Sequence, residues 1–163
     1  MTQPDPAARP DQATRNAAPS RGGLPEGGFA PLVPELDVRD LAASLRFWCG
    51  LLGFTVAYDR PAAGFAYLER ERAQVMICQI NGEWLTGPLE PPFGRGINLQ
   101  IACSSLDPIV DALGAAGWPL FRPVAEKWYR TGEGRMGGSR ELLVQDPDGY
   151  LLRFAQSLGE RAV

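Results

Sequence analysis

Histidine is absent from all 163 residues. A chain without it has no histidine-ligated zinc, no serine–histidine–carboxylate triad and no imidazole general base of its own. Cysteine is scarce. Cys49, Cys78 and Cys103 stand far apart in apolar surroundings with no Cys-x-x-Cys pair, which predicts buried free thiols rather than disulfides or a metal knot. No apolar run reaches the length of a membrane span, and the first residues lack the basic stretch and apolar core of a secretory signal. A cytoplasmic protein with no membrane partner is expected. A basic excess is missing too: 16 Lys and Arg oppose 19 Asp and Glu, for a formal charge of -3, whereas a nucleic-acid binder usually shows a surplus or stripe of cations. No nucleic-acid partner is expected.

What is present divides into segments. Residues 1–28 are rich in Pro, Ala, Gly, Arg and Asp without an apolar period, a composition that buries too little surface to offset its ordering entropy, so a disordered tail is expected there. Residues 29–156 read as one domain built of two similar modules. In the first (29–81), a strand from Phe29 to Val38 precedes a helix capped by Asp40, with Leu41, Ser44, Leu45, Trp48, Leu51 and Leu52 at helical spacing and Gly53 as its stop. Three short strands follow, Phe54–Tyr58, Phe65–Glu69 and Ala73–Ile80. A Gly- and Pro-rich connector (82–96) leads to the second module (97–156): a strand Ile97–Cys103, a helix capped by Ser104 or Ser105 and ended by Gly117, then strands Trp118–Val124, Gly138–Gln145 and Tyr150–Gln156. Residues 125–138 read as a glycine-rich loop, and 157–163 as a C-terminal tail. The fold class is α+β: two β-α-β-β-β modules forming curved mixed sheets around a cleft, with helices on the outer side.

The closing hairpin is the most informative stretch. In Asp146-Pro-Asp-Gly149, Pro147 has the φ wanted at the second position of a type I turn, Asp146 can accept a backbone hydrogen bond, and Gly149 supplies a left-handed residue. Beyond it Tyr150, Leu152 and Phe154 share one face and Leu151, Arg153 and Ala155 the other, so a cation stands in an apolar strand. Arg153 either orients a polar ligand group through its fork of donors or pairs with a carboxylate such as Glu141.

Leu36-Asp-Val-Arg-Asp-Leu-Ala-Ala-Ser-Leu-Arg-Phe-Trp-Cys-Gly-Leu-Leu-Gly-Phe54 and Gln145-Asp-Pro-Asp-Gly-Tyr-Leu-Leu-Arg-Phe154, in this order around a doubled module, resemble the vicinal oxygen chelate superfamily of glyoxalases, bleomycin-resistance proteins and extradiol dioxygenases. The resemblance implies ligand positions for metal-using members near Val33, Ile77 or Cys78, Asn98 and Arg153. Valine cannot coordinate and a guanidinium offers a cation no lone pair. The departure from that pattern implies the metal-free bleomycin-resistance branch: no metal, no cofactor, no catalytic residue, a homodimer, and an aromatic or amphipathic small molecule as ligand.

Arg153, Asn98 and Gln100 are the candidate polar contacts, and Trp84, Phe93, Trp128 and Tyr129 the candidate walls, since planar groups stack on aromatics. Glu133, with Glu126, Glu90 and Glu83, could offer acidic charge to a basic antibiotic. Lys127-Trp-Tyr-Arg130 joins cations to aromatics as a single-strand binder would, but one short cluster in an acidic chain is weak evidence for that. The expected function is metal-independent small-molecule binding, with bleomycin-like sequestration as its antibiotic-resistance form. Two alternatives stand beside it: an enzyme on a small aromatic or reactive compound, with Glu141 or Tyr129 handling a proton, and a structural or regulatory interaction protein.

Overall fold

The Asp40 side chain accepts a hydrogen bond from the Ala43 N–H at 3.0 Å, and from that cap helix α1 (Leu41–Gly50) runs with Ser44, Phe47 and Trp48 buried. The computed structural model describes residues 20–163. Pro31 and Pro34 cannot donate to a ladder, so β1 begins only at Glu35 (Glu35–Val38) and is shorter than its sequence suggests. It lies parallel to β4 (Ala73–Gln79), which is flanked in turn by β3 (Phe65–Arg70) and β2 (Thr55–Arg60), giving the order β1-β4-β3-β2. The second module repeats this as β5-β8-β7-β6, from β5 (Asn98–Cys103), β6 (Leu120–Gly132), β7 (Arg135–Gln145) and β8 (Leu151–Ala162), with α2 (Asp107–Ala115) after β5. Both are mixed four-stranded sheets, in keeping with the expected α+β architecture.

Three expectations are corrected. The presumed loop 125–138 is the far half of a long β6–β7 hairpin that turns only at Gly132–Arg135. Its glycines serve packing there: a Cβ on Gly138 would stand 2.7 Å from the Trp128 ring, so the bare backbone gives the indole a seat. Residues 157–163 are not a tail, because β8 continues along β7 to Ala162. Of residues 1–28, those at 20–28 are packed rather than disordered: Arg21 and Gly23 donate to the carbonyls of Val56 and Ala57. The rest of that segment lies outside the described residues. Ser105 Oγ accepts from the Asp107 N–H at 3.2 Å, at the entrance to α2.

The helix-bearing faces of the two sheets merge in one core. Leu36, Val38, Trp48, Val56, Leu68 and Ile77 of the first module join Ile109, Leu113, Leu142, Val144, Leu152 and Phe154 of the second. Phe47 packs on Trp118 with ring centroids 4.7 Å apart. The closing turn fastens the modules as well. Asp146 Oδ1 accepts from the N–H groups of Asp148 and Tyr150, while Oδ2 accepts from Trp48 Nε1 at 3.4 Å; Arg39 pairs with Asp148 at 2.6 Å. Burial pushes the Asp146 carboxyl up to about 6 against those donors. The connector is exposed from residue 82 to 92, then returns at Phe93, whose N–H donates to the Asp148 carbonyl. Gly149 permits that return, since a Cβ there would sit 2.5 Å from Pro92.

Because the helix sides share a core, the other face of each sheet points away from it.

Candidate functional site

Alternation along paired strands assembles the open face of the second sheet. Register places Asn98 opposite Leu151, Gln100 opposite Arg153, Arg153 opposite Leu143, and Glu141 between Ala155 and Ala125. Lys127 and Tyr129 fall on the same face, two and four residues along β6 from Ala125. Glu141 is the centre of the group. Its residue is only 3% exposed, yet it belongs to a sheet face without a helix over it. The Tyr129 hydroxyl donates to its two oxygens at 3.3 and 3.4 Å, Lys127 Nζ stands at 3.3 Å and Arg153 Nη1 at 3.9 Å. A buried carboxylate requires such partners, since desolvating it alone would cost several kcal/mol.

Arg153 has a second neighbour: Nη2 donates to Gln100 Oε1. Its Nε is buried without a partner. The two readings of this arginine therefore coincide. It belongs to an ion-pair group with Glu141, and it still holds an unused donor beside Gln100.

The structure thus brings together Arg153, Gln100, Asn98 and Tyr129 among the expected site residues. It separates the others. Trp128 lies on the opposite face of β6, over Gly138 and under the Arg161 guanidinium at 4.0 Å. Phe93 is a buried anchor, edge-on to Tyr150 with centroids 5.9 Å apart, and forms no cleft wall. Trp84 is exposed on the connector, and Glu133 sits at the tip of the β6–β7 hairpin. The acidic set does not converge, because Glu126 faces away from Lys127 and Glu83 and Glu90 are on the connector. Alternation also splits the Lys127–Arg130 cluster between two faces, so no continuous cation–aromatic strip exists there.

From sequence, Lys127 falls in a cation–aromatic cluster and Glu141 beside Arg153 or Tyr129, with nothing to join Lys127 to Glu141. Their signal was the i, i+2 spacing of Lys127 and Tyr129, hidden while that stretch read as a loop. The open face of the first sheet was missed as well. Phe65, Tyr67 and Glu69 alternate onto it from β3, and Tyr58 stacks on Tyr67 with centroids 5.0 Å apart. Asp37 and Cys78 face each other in register there, and burial raises both the carboxyl and the thiol.

Residues at the inferred ligand positions do not fit a metal. Val33 precedes β1 and has no donor, Ile77 points into the core, and Arg153 brings a guanidinium, while Cys78 faces Asp37 on the first sheet and Asn98 lies on the second. Among the described residues no three His, Cys, Asp or Glu side chains gather as a coordinating group. Nor is any helix among them long and apolar enough to cross a membrane.

Comparison with known proteins agrees with this architecture. A bleomycin resistance protein of Geobacillus stearothermophilus is 23% identical over 138 residues, spanning 77% of this chain and 96% of its own length. One from Staphylococcus aureus matches to the same extent, 23% over 138 residues. Among solved structures, TioX from Micromonospora sp. ML1 superposes with a TM-score of 0.61 at 22% identity, covering 80% of this chain and 100% of that one. The bleomycin resistance determinant encoded on the transposon Tn5 gives 0.52 at 22% identity, covering 80% and 99%. These likenesses show the fold. The sequence profile of the Glyoxalase/Bleomycin resistance protein/Dioxygenase superfamily matches residues 32–154, and the chain belongs to that superfamily.

Proposed function

We propose that this protein binds a small molecule without a metal or cofactor, on the open face of the second sheet. The carrying observation is the Arg153 guanidinium, 31% exposed beside Gln100 on a face shared with Asn98, in a group whose carboxylate is already occupied and with an Nε that has no acceptor in the chain. A charged donor without an acceptor favours a ligand carbonyl or carboxylate, and Tyr129, Leu143 and Leu151 supply apolar area around it. The ligand class is therefore aromatic or amphipathic with a polar acceptor. Two copies of the chain close each cleft, since a single sheet face is too open to surround a ligand. The protein works in the cytoplasm, in keeping with its three free cysteines.

Relatives named as bleomycin resistance proteins make an antibiotic of that kind the first ligand to test. Calorimetric titration with metal-free and copper-loaded bleomycin, beside a resistance assay in a sensitive host, decides it. Saturable binding with protection is expected; no binding at tens of micromolar and no protection removes the antibiotic assignment. Replacing Arg153 by Ala should weaken whichever ligand binds by about tenfold to a hundredfold, the worth of a charged hydrogen bond, with only a modest loss of folding stability because Lys127 and Tyr129 still face Glu141. Unaltered affinity would make Arg153 a purely structural residue. Native mass spectrometry tests the pairing of chains, and a monomer carrying ligand would end the shared-cleft reading.

The Tyr129 hydroxyl against Glu141 favours one second reading, an enzyme in which this pair moves a proton. Recovery of the titrated compound chemically unchanged after long incubation would dismiss it.

A further inference from the structure

The open face of the first sheet has the makings of a site, and residues 20–34 of the same chain lie across it. Glu69 is 4% exposed on that face. It pairs with the Arg21 guanidinium, and its Oε2 accepts from the Glu26 N–H at 2.8 Å. Two residues along β3, a distance of about 6.8 Å, Tyr67 stacks on Tyr58. Phe29 meets these rings edge-on, with centroids 5.6 Å from Tyr67 and 6.5 Å from Tyr58. Gln74 ties the segment down between them: it accepts from the Ala30 N–H at 2.7 Å, donates to the Gly28 carbonyl at 2.8 Å and accepts from the Tyr67 hydroxyl at 2.6 Å.

The strap is held by polar contacts and has little apolar burial. Leu24, Phe29 and Leu32 are 72, 57 and 85% exposed. Pro25 is buried and Val33 packs half-buried against Ala57, Phe65, Tyr67 and Cys78; the remaining attachments are the hydrogen bonds and ion pair above together with the backbone bonds to Val56 and Ala57. A segment attached in this way opens at a small fraction of the global unfolding free energy. What it covers is a buried carboxylate beside an aromatic pair, and what it places there is a guanidinium and a phenyl ring.

From this we infer that the first sheet carries a second binding site, for a planar aromatic group joined to an amidinium, guanidinium or amine. The strap is its internal occupant: Arg21 fills the carboxylate end at Glu69, and Phe29 covers the aromatic end at Tyr58 and Tyr67. A ligand of that class must displace the strap, so its apparent affinity is reduced by the fraction of molecules in which the strap is closed. This site uses no residue of the second sheet and stands or falls separately from the function proposed above.

The probe is 2-phenylethylguanidine, titrated calorimetrically into the full chain. A strap open in one molecule in ten weakens binding by about tenfold, so the combined Arg21→Ala, Phe29→Ala variant should bind the probe about tenfold more tightly than the unaltered protein. Adding Glu69→Gln should abolish the gain, and 2-phenylethanol, which lacks the cation, should show none. In the unaltered protein, saturating probe should speed hydrogen exchange at the amides of Arg21, Gly23 and Glu26, a readout free of any substitution. Equal affinity in both proteins, no binding to either, a gain that survives Glu69→Gln or is shared by 2-phenylethanol, or unchanged exchange in the strap would each overturn the inference.

Discussion

The two sheets have the same strand order and the same connections, and each turns a nearly buried glutamate of its third strand toward its open face: Glu69 from β3 and Glu141 from β7. They differ in how that carboxylate is compensated. Glu69 draws on the strap, through Arg21 and the Glu26 amide, so its partners lie more than forty residues away in sequence. Glu141 draws on neighbours within its own sheet, Lys127, Tyr129 and Arg153. A carboxylate supplied by its own sheet leaves the face above it open, whereas one supplied by a returning segment has its face covered. The open face is thereby accessible in one module and occupied in the other.

The strongest way to break the comparison is to remove what the modules share. Trp48 is fully buried and touches both, through Phe54 in the first and Asp146 in the second. Trp48→Ala should cost about 3–5 kcal/mol. Urea unfolding followed by near-UV and far-UV circular dichroism should keep a single coincident transition; separated transitions would mean that the sheets fold as independent units.

Acidity probes the same junction with a smaller effect. The Asp146 carboxyl is raised in the folded state to about 6, above its ordinary 3.8, so the folded protein holds the proton more tightly than the unfolded chain. Its contribution to stability is therefore fully present below about pH 4 and is lost as pH rises through about 6, a change on the order of 3 kcal/mol. Stability measured across that range, relative to an Asp146→Asn variant that lacks the titration, should fall by this amount. A difference that is flat with pH would refute the assignment.

Substituting the two glutamates sharpens the contrast further. Glu141→Ala leaves Lys127 and Arg153 without their carboxylate, but both are about one-third exposed and can turn toward water, so a loss of about 1–2 kcal/mol is expected in chemical denaturation. Glu69→Ala should cost less globally, about 1 kcal/mol, and should show instead as faster amide exchange confined to residues 20–30. Equal global costs with no local signature would make the strap part of the cooperative fold.

Elements carried by period and caps were readable from sequence. The α1 stripe with its Asp40 cap, the Asp146–Gly149 turn, and the shared face of Asn98, Gln100 and Arg153 all follow from spacing within one or two strands. Features created by pairing at a distance were not. The stretch 125–138 reads as a loop because Gly132, Gly134, Gly137 and Gly138 are poor strand formers, and it is strand because Trp128 and Thr131 fold over the bare backbone of their cross-strand glycines. Phe93 reads as a wall, yet the approach of Pro92 to Gly149 carries it into the core. The strap carries no period because backbone amides and single polar side chains hold it, and these leave no trace in an apolar pattern.

The exposed connector acquires a meaning from the shared core. Because Trp48, Arg39 and Phe47 grip the second module directly, the covalent link over residues 82–92 adds little to the union of the halves. A break there turns one polypeptide into two complementary fragments, each carrying a face that only the other can cover. Expressed separately, such fragments form a split-protein pair whose reassembly reports their encounter, and a guest domain spliced into the link would ride on the fold without parting it.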